Sequence, residues 1–185
     1  MSVKYVEDKN ALYIKDAVLY WASVHTPKLK YGSQTDKEYQ ITVLVTEEDM
    51  KALKKIKLNK EYKHVGDDID VEKFPDCEGL WVVKFSQPAL AKSGKKLSVV
   101  VKNADGSDLD KEIGNGSKGH IKLYAQEGVG VSKGKLNTRL NAVVVTELVE
   151  YSGGSDGFDA ELGVSTRSNK KQDDDDFSFD EEVPF

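Results

Sequence analysis

Cysteine is nearly absent, since Cys77 is the only one in 185 residues. A lone thiol closes no internal disulfide, which fits a reducing, cytoplasmic setting. Histidine is almost as scarce. His25, His64 and His120 lie far apart from one another and from Cys77 in the sequence, which argues against a structural metal site. Nowhere does the chain hold the ~18 consecutive apolar residues that a membrane-crossing helix needs, so no membrane partner is expected. The opening Met1-Ser2-Val3-Lys4-Tyr5 lacks the basic-then-apolar pattern of a secretory leader. Catalytic signatures are missing too. No Ser or Cys sits in a nucleophile elbow, and no Gly-Lys-Ser/Thr marks a P-loop. The chain therefore reads as a non-enzyme without a cofactor.

Two glycine-bearing segments invite functional readings that their surroundings weaken. Gly114-Asn115-Gly116-Ser117-Lys118-Gly119 matches G-x-G-x-x-G. That fingerprint works when a helix follows and offers its N-terminus to a pyrophosphate; here a strand is expected to follow, so a tight turn is the better reading. Asp105-Gly106-Ser107-Asp108-Leu109-Asp110 resembles a calcium loop. Its glycine is misplaced and no bidentate Glu closes it, so it reads as a hairpin turn.

What is plentiful is charge, unevenly placed. The chain carries 27 Lys+Arg and 32 Asp+Glu, a net −5. Residues 151–185 hold ten of the acids and only three bases, a net −7. The remaining body is therefore +2. Such asymmetry points to a nucleic-acid partner or a competing acidic tail. From Ser152 the chain is rich in Gly, Ser and Asp and poor in apolar residues. It buries too little surface to offset its ordering entropy and is expected to be disordered. We divide the chain into a folded domain, 1–151, and an acidic tail, 152–185. Phe177 and Phe179 stand among like charges, and the chain ends in Asp180-Glu181-Glu182-Val183-Pro184-Phe185. A purely solubilising tail has no need of this apolar tip. A docking peptide does: Phe185 fills a hole while basic groups take the carboxylates.

The body reads as strands. Residues 11–24 are rich in β-branched and aromatic types, with a bend expected near Lys15-Asp16. Further strands are expected over 38–45, 79–85, 96–102, 120–127 and 140–151. Thr46 caps a short amphipathic helix over 47–57, with the acids of Glu47-Glu48-Asp49 at its positive end. Gly128 to Lys135 is a flexible basic loop. Many short strands and a single helix argue for an all-β barrel or sandwich. Ile121, Leu123 and Ala125 fall on one face of their strand, suited to a core. His120, Lys122, Tyr124 and Gln126 fall on the other.

Aromatic residues punctuate these strands, and lysines stand beside them. Unpaired bases stack on exposed rings, and their phosphates need cations. Strands also bury rings routinely. Trp81 and Phe85 share a face with Val83, and Tyr20 alternates with Val18 and Ala22, so these three belong to the core. Trp21, on the opposite face with Leu19, is open to either role. Tyr124, between Lys122 and Gln126 on its face, is the best stacking candidate. The candidate nucleic-acid contacts are Trp21, Tyr39, Lys84, Lys95, Lys96, Lys102, Lys122, Tyr124, Lys133, Lys135 and Arg139. Lys28, Lys30, Lys92 and Lys118 belong to the same wider basic set. Lys133, Lys135 and Arg139 lie where a loop could close over a bound strand.

The acidic tip ending in Pro184-Phe185 is similar to the tips of bacterial single-stranded DNA-binding proteins. The stretch from about Gly114 to Val149, with its Gly-Asn-Gly-Ser turn, Tyr124, Gly-Val-Gly-Val-Ser and Arg139-Leu140-Asn141-Ala142-Val143, resembles the bacteriophage proteins of that function. Together these segments span about a third of the chain. The resemblance implies an OB-fold β-barrel in the host cytoplasm. It also implies sequence-tolerant binding of single-stranded DNA in replication, recombination or repair, and recruitment of partner proteins by the C-terminal tip. Duplex DNA and RNA stay open as weaker ligands, as does self-association. The rival reading is a protein-interaction module with a docking tail and no affinity for nucleic acid.

Overall fold

The structure, a computed structural model, describes residues 2–150. The acidic tail, Phe177, Phe179 and the tip Asp180 to Phe185 lie outside the described residues. Among those described are eight strands and one α-helix. The strands are β1 (Val3–Val6), β2 (Ala11–Leu29), β3 (Lys37–Val45), β4 (Lys63–His64), β5 (Trp81–Pro88), β6 (Val100–Asn103), β7 (Ser117–Glu127) and β8 (Leu136–Glu147), and α1 is Glu47–Lys55. The protein is all-β with an OB-like architecture.

The long strand β2 organises the sheet. Its first half pairs with β7 and its second with β3. It serves both because it bends where Asp16 takes φ +55° and the β2–β7 register shifts between Ile14 and Ala17. The Asp16 N–H, released from the ladder, donates to His120 Nδ1 at 3.1 Å. Bulges of this kind increase local twist and curl a sheet. The hydrogen-bonded order is β4-β5-β3-β2-β7-β8-β6, with β1 added to β2. All neighbours are antiparallel except β6 and β8. The ladder is an open path whose ends are β4 and β6.

The concave side holds the main core. Leu12, Ile14, Leu19, Ile41, Val43, Val83, Phe85, Ile121, Leu123, Leu140 and Val143 are buried together, joined by Met50 and Leu53 of α1. The helix begins where its sequence requires: the Thr46 hydroxyl accepts from the Asp49 N–H at 3.2 Å. On the convex side a second cluster joins Tyr20 of β2 and Leu44 of β3 to Val65, Phe74 and Cys77. The irregular segment between β4 and β5 is thus pinned over the outside of the sheet, and it supplies one wall of the site described below.

Most expected elements are present. The bend in β2, the capped helix, the Asp105–Asp108 turn and the two faces of β7 are as read from the sequence. The segment expected as a strand over 96–102 is regular only from Val100; Lys96 makes an isolated bridge to Leu90. The last strand starts earlier and ends earlier than expected, at Leu136 and Glu147. β1 and β4 are too short to announce themselves by periodicity.

Candidate nucleic-acid interface

Three depressions adjoin one another on the surface. The first, about 710 Å³, is lined by Trp21, Lys60, Lys63, Lys73, Phe74 and Lys84, with Glu38, Glu61, Asp68 and Asp70 among its acids. The second, about 840 Å³, is lined by Lys30, Lys37, Tyr39, Leu90, Lys92 and Lys96. The third, about 660 Å³, is lined by Lys92, Tyr124, Glu127, Val129, Asn137 and Arg139. Glu38 lines both the first and the second. Lys92 and Leu97 line both the second and the third. The second therefore borders both of the others, and the three form a row of adjoining depressions, the trough. Nine lysine and arginine side chains line it against six acids, so the trough as a whole favours an anion.

Six of the sequence candidates meet here: Trp21 and Lys84 in the first depression, Tyr39 and Lys96 in the second, Tyr124 and Arg139 in the third. Tyr124 and Arg139 are direct cross-strand partners between β7 and β8, which places a ring beside a guanidinium. The Tyr124 hydroxyl donates to Gln126 Oε1 at 3.3 Å, and the residue is 39% exposed. Tyr39 is half-buried, with part of its ring against the main core.

The other five are placed differently. Lys122 lies outside the trough, its ammonium 5.9 Å from the centre of the Tyr13 ring. Lys102 is engaged within its own turn, donating to Asp108 Oδ1 at 2.9 Å and to the Gly106 carbonyl at 3.2 Å. Lys95 is exposed in a turn closed by the Ala91 N–H on the Lys95 carbonyl. Lys133 is exposed on the β7–β8 loop. Lys135 lines a smaller depression with Tyr5, Glu7 and Lys57. That depression shares Glu127 with the trough.

Trp21 departs from regular strand geometry. It sits in β2 where the register with β3 shifts between Tyr20 and Ser23, and its φ is +46°. For a bulky residue this left-handed conformation costs on the order of 1–3 kcal/mol and persists only where its surroundings impose it. The imposing contact is the Trp21 N–H donating to Asn115 Oδ1 at 2.8 Å. The bulge turns the indole out of the strand's alternation, onto Phe74 at 4.7 Å between ring centres. Half of the residue remains exposed.

Lys60 is the most buried cation of the trough. Burial pushes its ammonium below the ordinary lysine value; Glu38 opposes that shift and Lys84 adds to it. Lys60, Lys63 and Lys73 come from the segment around β4, which carries no periodic pattern, and the sequence reading missed them, as it missed Lys37, Phe74 and Asn115. The only signal for them was the frequency of lysine. Among the described residues, no three His, Cys, Asp or Glu side chains converge as metal ligands would.

No protein-family model and no curated protein sequence matches the chain. Solved structures do. The single-stranded DNA-binding protein of bacteriophage Enc34, in complex with ssDNA, superposes with a TM-score of 0.54 at 17% identity, over 80% of this chain and 94% of that one. A C-terminally truncated form of the Enc34 protein gives 0.52 at 17% identity, over 81% and 97%. The single-stranded DNA binding protein encoded by bacteriophage T7 gives 0.52 at 16% identity, over 88% and 98%. At such identities the likeness establishes a shared fold.

Proposed function

We propose that this protein binds single-stranded DNA irrespective of sequence, as a strand-coating component of phage DNA replication, recombination or repair. The observation that carries the proposal is the row of adjoining depressions. It strings Trp21, Tyr39 and Tyr124 along one path with Lys84, Lys96 and Arg139. Rings at intervals accept successive bases, and cations between them neutralise the linking phosphates. Ring–base stacking contributes about 1–3 kcal/mol per base and tolerates any sequence, and each phosphate contact adds a salt-sensitive term. The shared fold with phage proteins that carry this function supports the same reading.

The tail completes the proposal. With net charge −7, residues 151–185 mimic a polyanion and compete for the trough. DNA displaces them, and the tip Asp180 to Phe185 is then free to recruit replication or recombination proteins. No catalytic step is assigned to the chain.

The test is titration of the full chain with oligo-dT at low salt, read by tryptophan fluorescence and gel shift, beside duplex DNA and RNA of equal length. Quenching and a shift with oligo-dT that weaken as salt rises are the expected result. If neither appears, the reading fails and the protein-interaction module takes its place.

A further inference from the structure

We infer that Asn115 is a positioning residue that locks Trp21 as the principal base-stacking platform of the trough, its ligand being one unpaired nucleobase with its phosphates on the surrounding lysines. This rests on the single-strand reading above and goes further by assigning the platform and the device that holds it.

Four independent observations converge. The Trp21 backbone is left-handed, a conformation that a tryptophan does not choose unaided. A single side-chain acceptor, Asn115 Oδ1, satisfies the N–H that the bulge removes from the ladder. The acceptor is itself held firmly. The Gly116 N–H donates to the Leu19 carbonyl at 3.0 Å, and the Ser117 hydroxyl donates to the Gly114 carbonyl at 2.7 Å. At Gly114 a Cβ would sit 2.5 Å from the Val149 carbonyl oxygen, so the turn is seated against the backbone that follows β8. The indole is backed by Phe74 and flanked edge-on by Tyr20, and these rings leave a half-exposed surface facing the depression that Lys60, Lys73 and Lys84 also line.

The Gly-Asn-Gly-Ser segment thereby acquires a role. Its glycines allow the tight approach, Gly116 at φ +87°, and its asparagine presents the amide oxygen to β2. A flexible indole would lose rotational freedom on stacking. A pre-set one has already lost it in folding, so more of the stacking energy appears as affinity.

The experiment compares oligo-dT with an abasic oligomer of equal length, which keeps the phosphates and lacks the bases. Both are titrated against the full chain, Trp21→Ala, Trp21→Phe and Asn115→Ala, with anisotropy of a dye on the oligomer. The wild type should prefer oligo-dT. Trp21→Ala should bind oligo-dT about tenfold more weakly, Trp21→Phe by less, and Asn115→Ala about three- to tenfold more weakly, as follows from losing part or all of one stacked base. Affinity for the abasic oligomer should hold in all three. Asn115→Ala in a Trp81→Phe background should also shift the emission of Trp21. Two results overturn the inference: an unchanged preference for oligo-dT in Asn115→Ala, or equal losses on both oligomers, which mark a merely structural role. If Asn115→Ala does not fold, the Trp21 pair decides, and an unchanged preference in Trp21→Ala refutes the platform. Failure of the wild type to bind either oligomer refutes the single-strand reading instead.

Discussion

At the scale of single residues, the proposed DNA trough holds one partly buried cation. Burial lowers the Lys60 pKa, while Glu38 and the Phe85 ring, whose centre lies 5.5 Å from the ammonium, favour the charged form. A phosphate would favour that form further. Replacing Lys60 with Met keeps the apolar stem and removes the buried charge. Lys60→Met should therefore stabilise the fold, by roughly 0.5–1 kcal/mol in urea unfolding, while weakening oligo-dT binding several-fold and flattening its salt dependence. Loss of both stability and binding would show that Lys60 is a structural cation.

Two tyrosines should weaken the fold at alkaline pH. Burial raises both Tyr20 and Tyr62 to about 12, Tyr20 with help from the neighbouring Cys77. Their folded values exceed the unfolded 10, so the folded state holds these protons where the unfolded state has released them. The contribution is complete below pH ~10 and is lost as pH rises towards ~12. Urea midpoints should fall across that window. Tyr62 is the cleaner probe, since its hydroxyl is buried without a hydrogen-bond partner among the described residues. Tyr62→Phe should keep the neutral-pH stability and shrink the alkaline fall. An unchanged alkaline fall would place the titrating groups elsewhere.

At the scale of elements, the strands were legible wherever one face is apolar. The alternation of Ile121, Leu123 and Ala125 with Lys122, Tyr124 and Gln126 fixed β7 from sequence, because a strand with one buried face has a single workable register. The same rule could not place Trp21. Alternation put it opposite Tyr20, yet its real orientation depends on a bulge imposed by Asn115, 94 residues further along the chain. Nor could it find Lys60, Lys63 and Lys73, which reach the trough because Phe74 and Val65 anchor their segment to Tyr20 and Leu44. Non-local packing carries no periodic signature. The β7–β8 pairing that supports Tyr124 and Arg139 has its own weak point. At Gly119 a Cβ would lie 2.5 Å from the Val144 carbonyl oxygen and 3.2 Å from Leu19 Cδ1. Backbone cannot retreat from such a contact as a side-chain tip can. Gly119→Ala should cost at least about 2 kcal/mol and expose the β7–β8 amides to hydrogen exchange. Wild-type stability in this variant would mean that the two strands separate more freely than their ladder implies.

At the scale of the whole molecule, the question is whether a terminal segment of charge −7 competes with DNA for a body of charge +2. If the segment competes with DNA, the observed affinity equals the intrinsic affinity divided by one plus the constant for the segment's own docking. Both interactions are electrostatic and both fade with salt. Deleting residues 152–185 should therefore tighten oligo-dT binding at low salt. The gain should shrink towards nothing as salt rises, so the truncated chain shows the steeper salt dependence. General repulsion between the segment and DNA would also be screened, and a second measurement separates the two. A free peptide of residues 152–185 added to the truncated chain should inhibit it saturably if it occupies the trough, and its inhibition should weaken when Lys84 and Lys96 are both changed to Ala. Repulsion acts only through the covalent link, so a peptide without effect would leave the segment with its recruiting role alone.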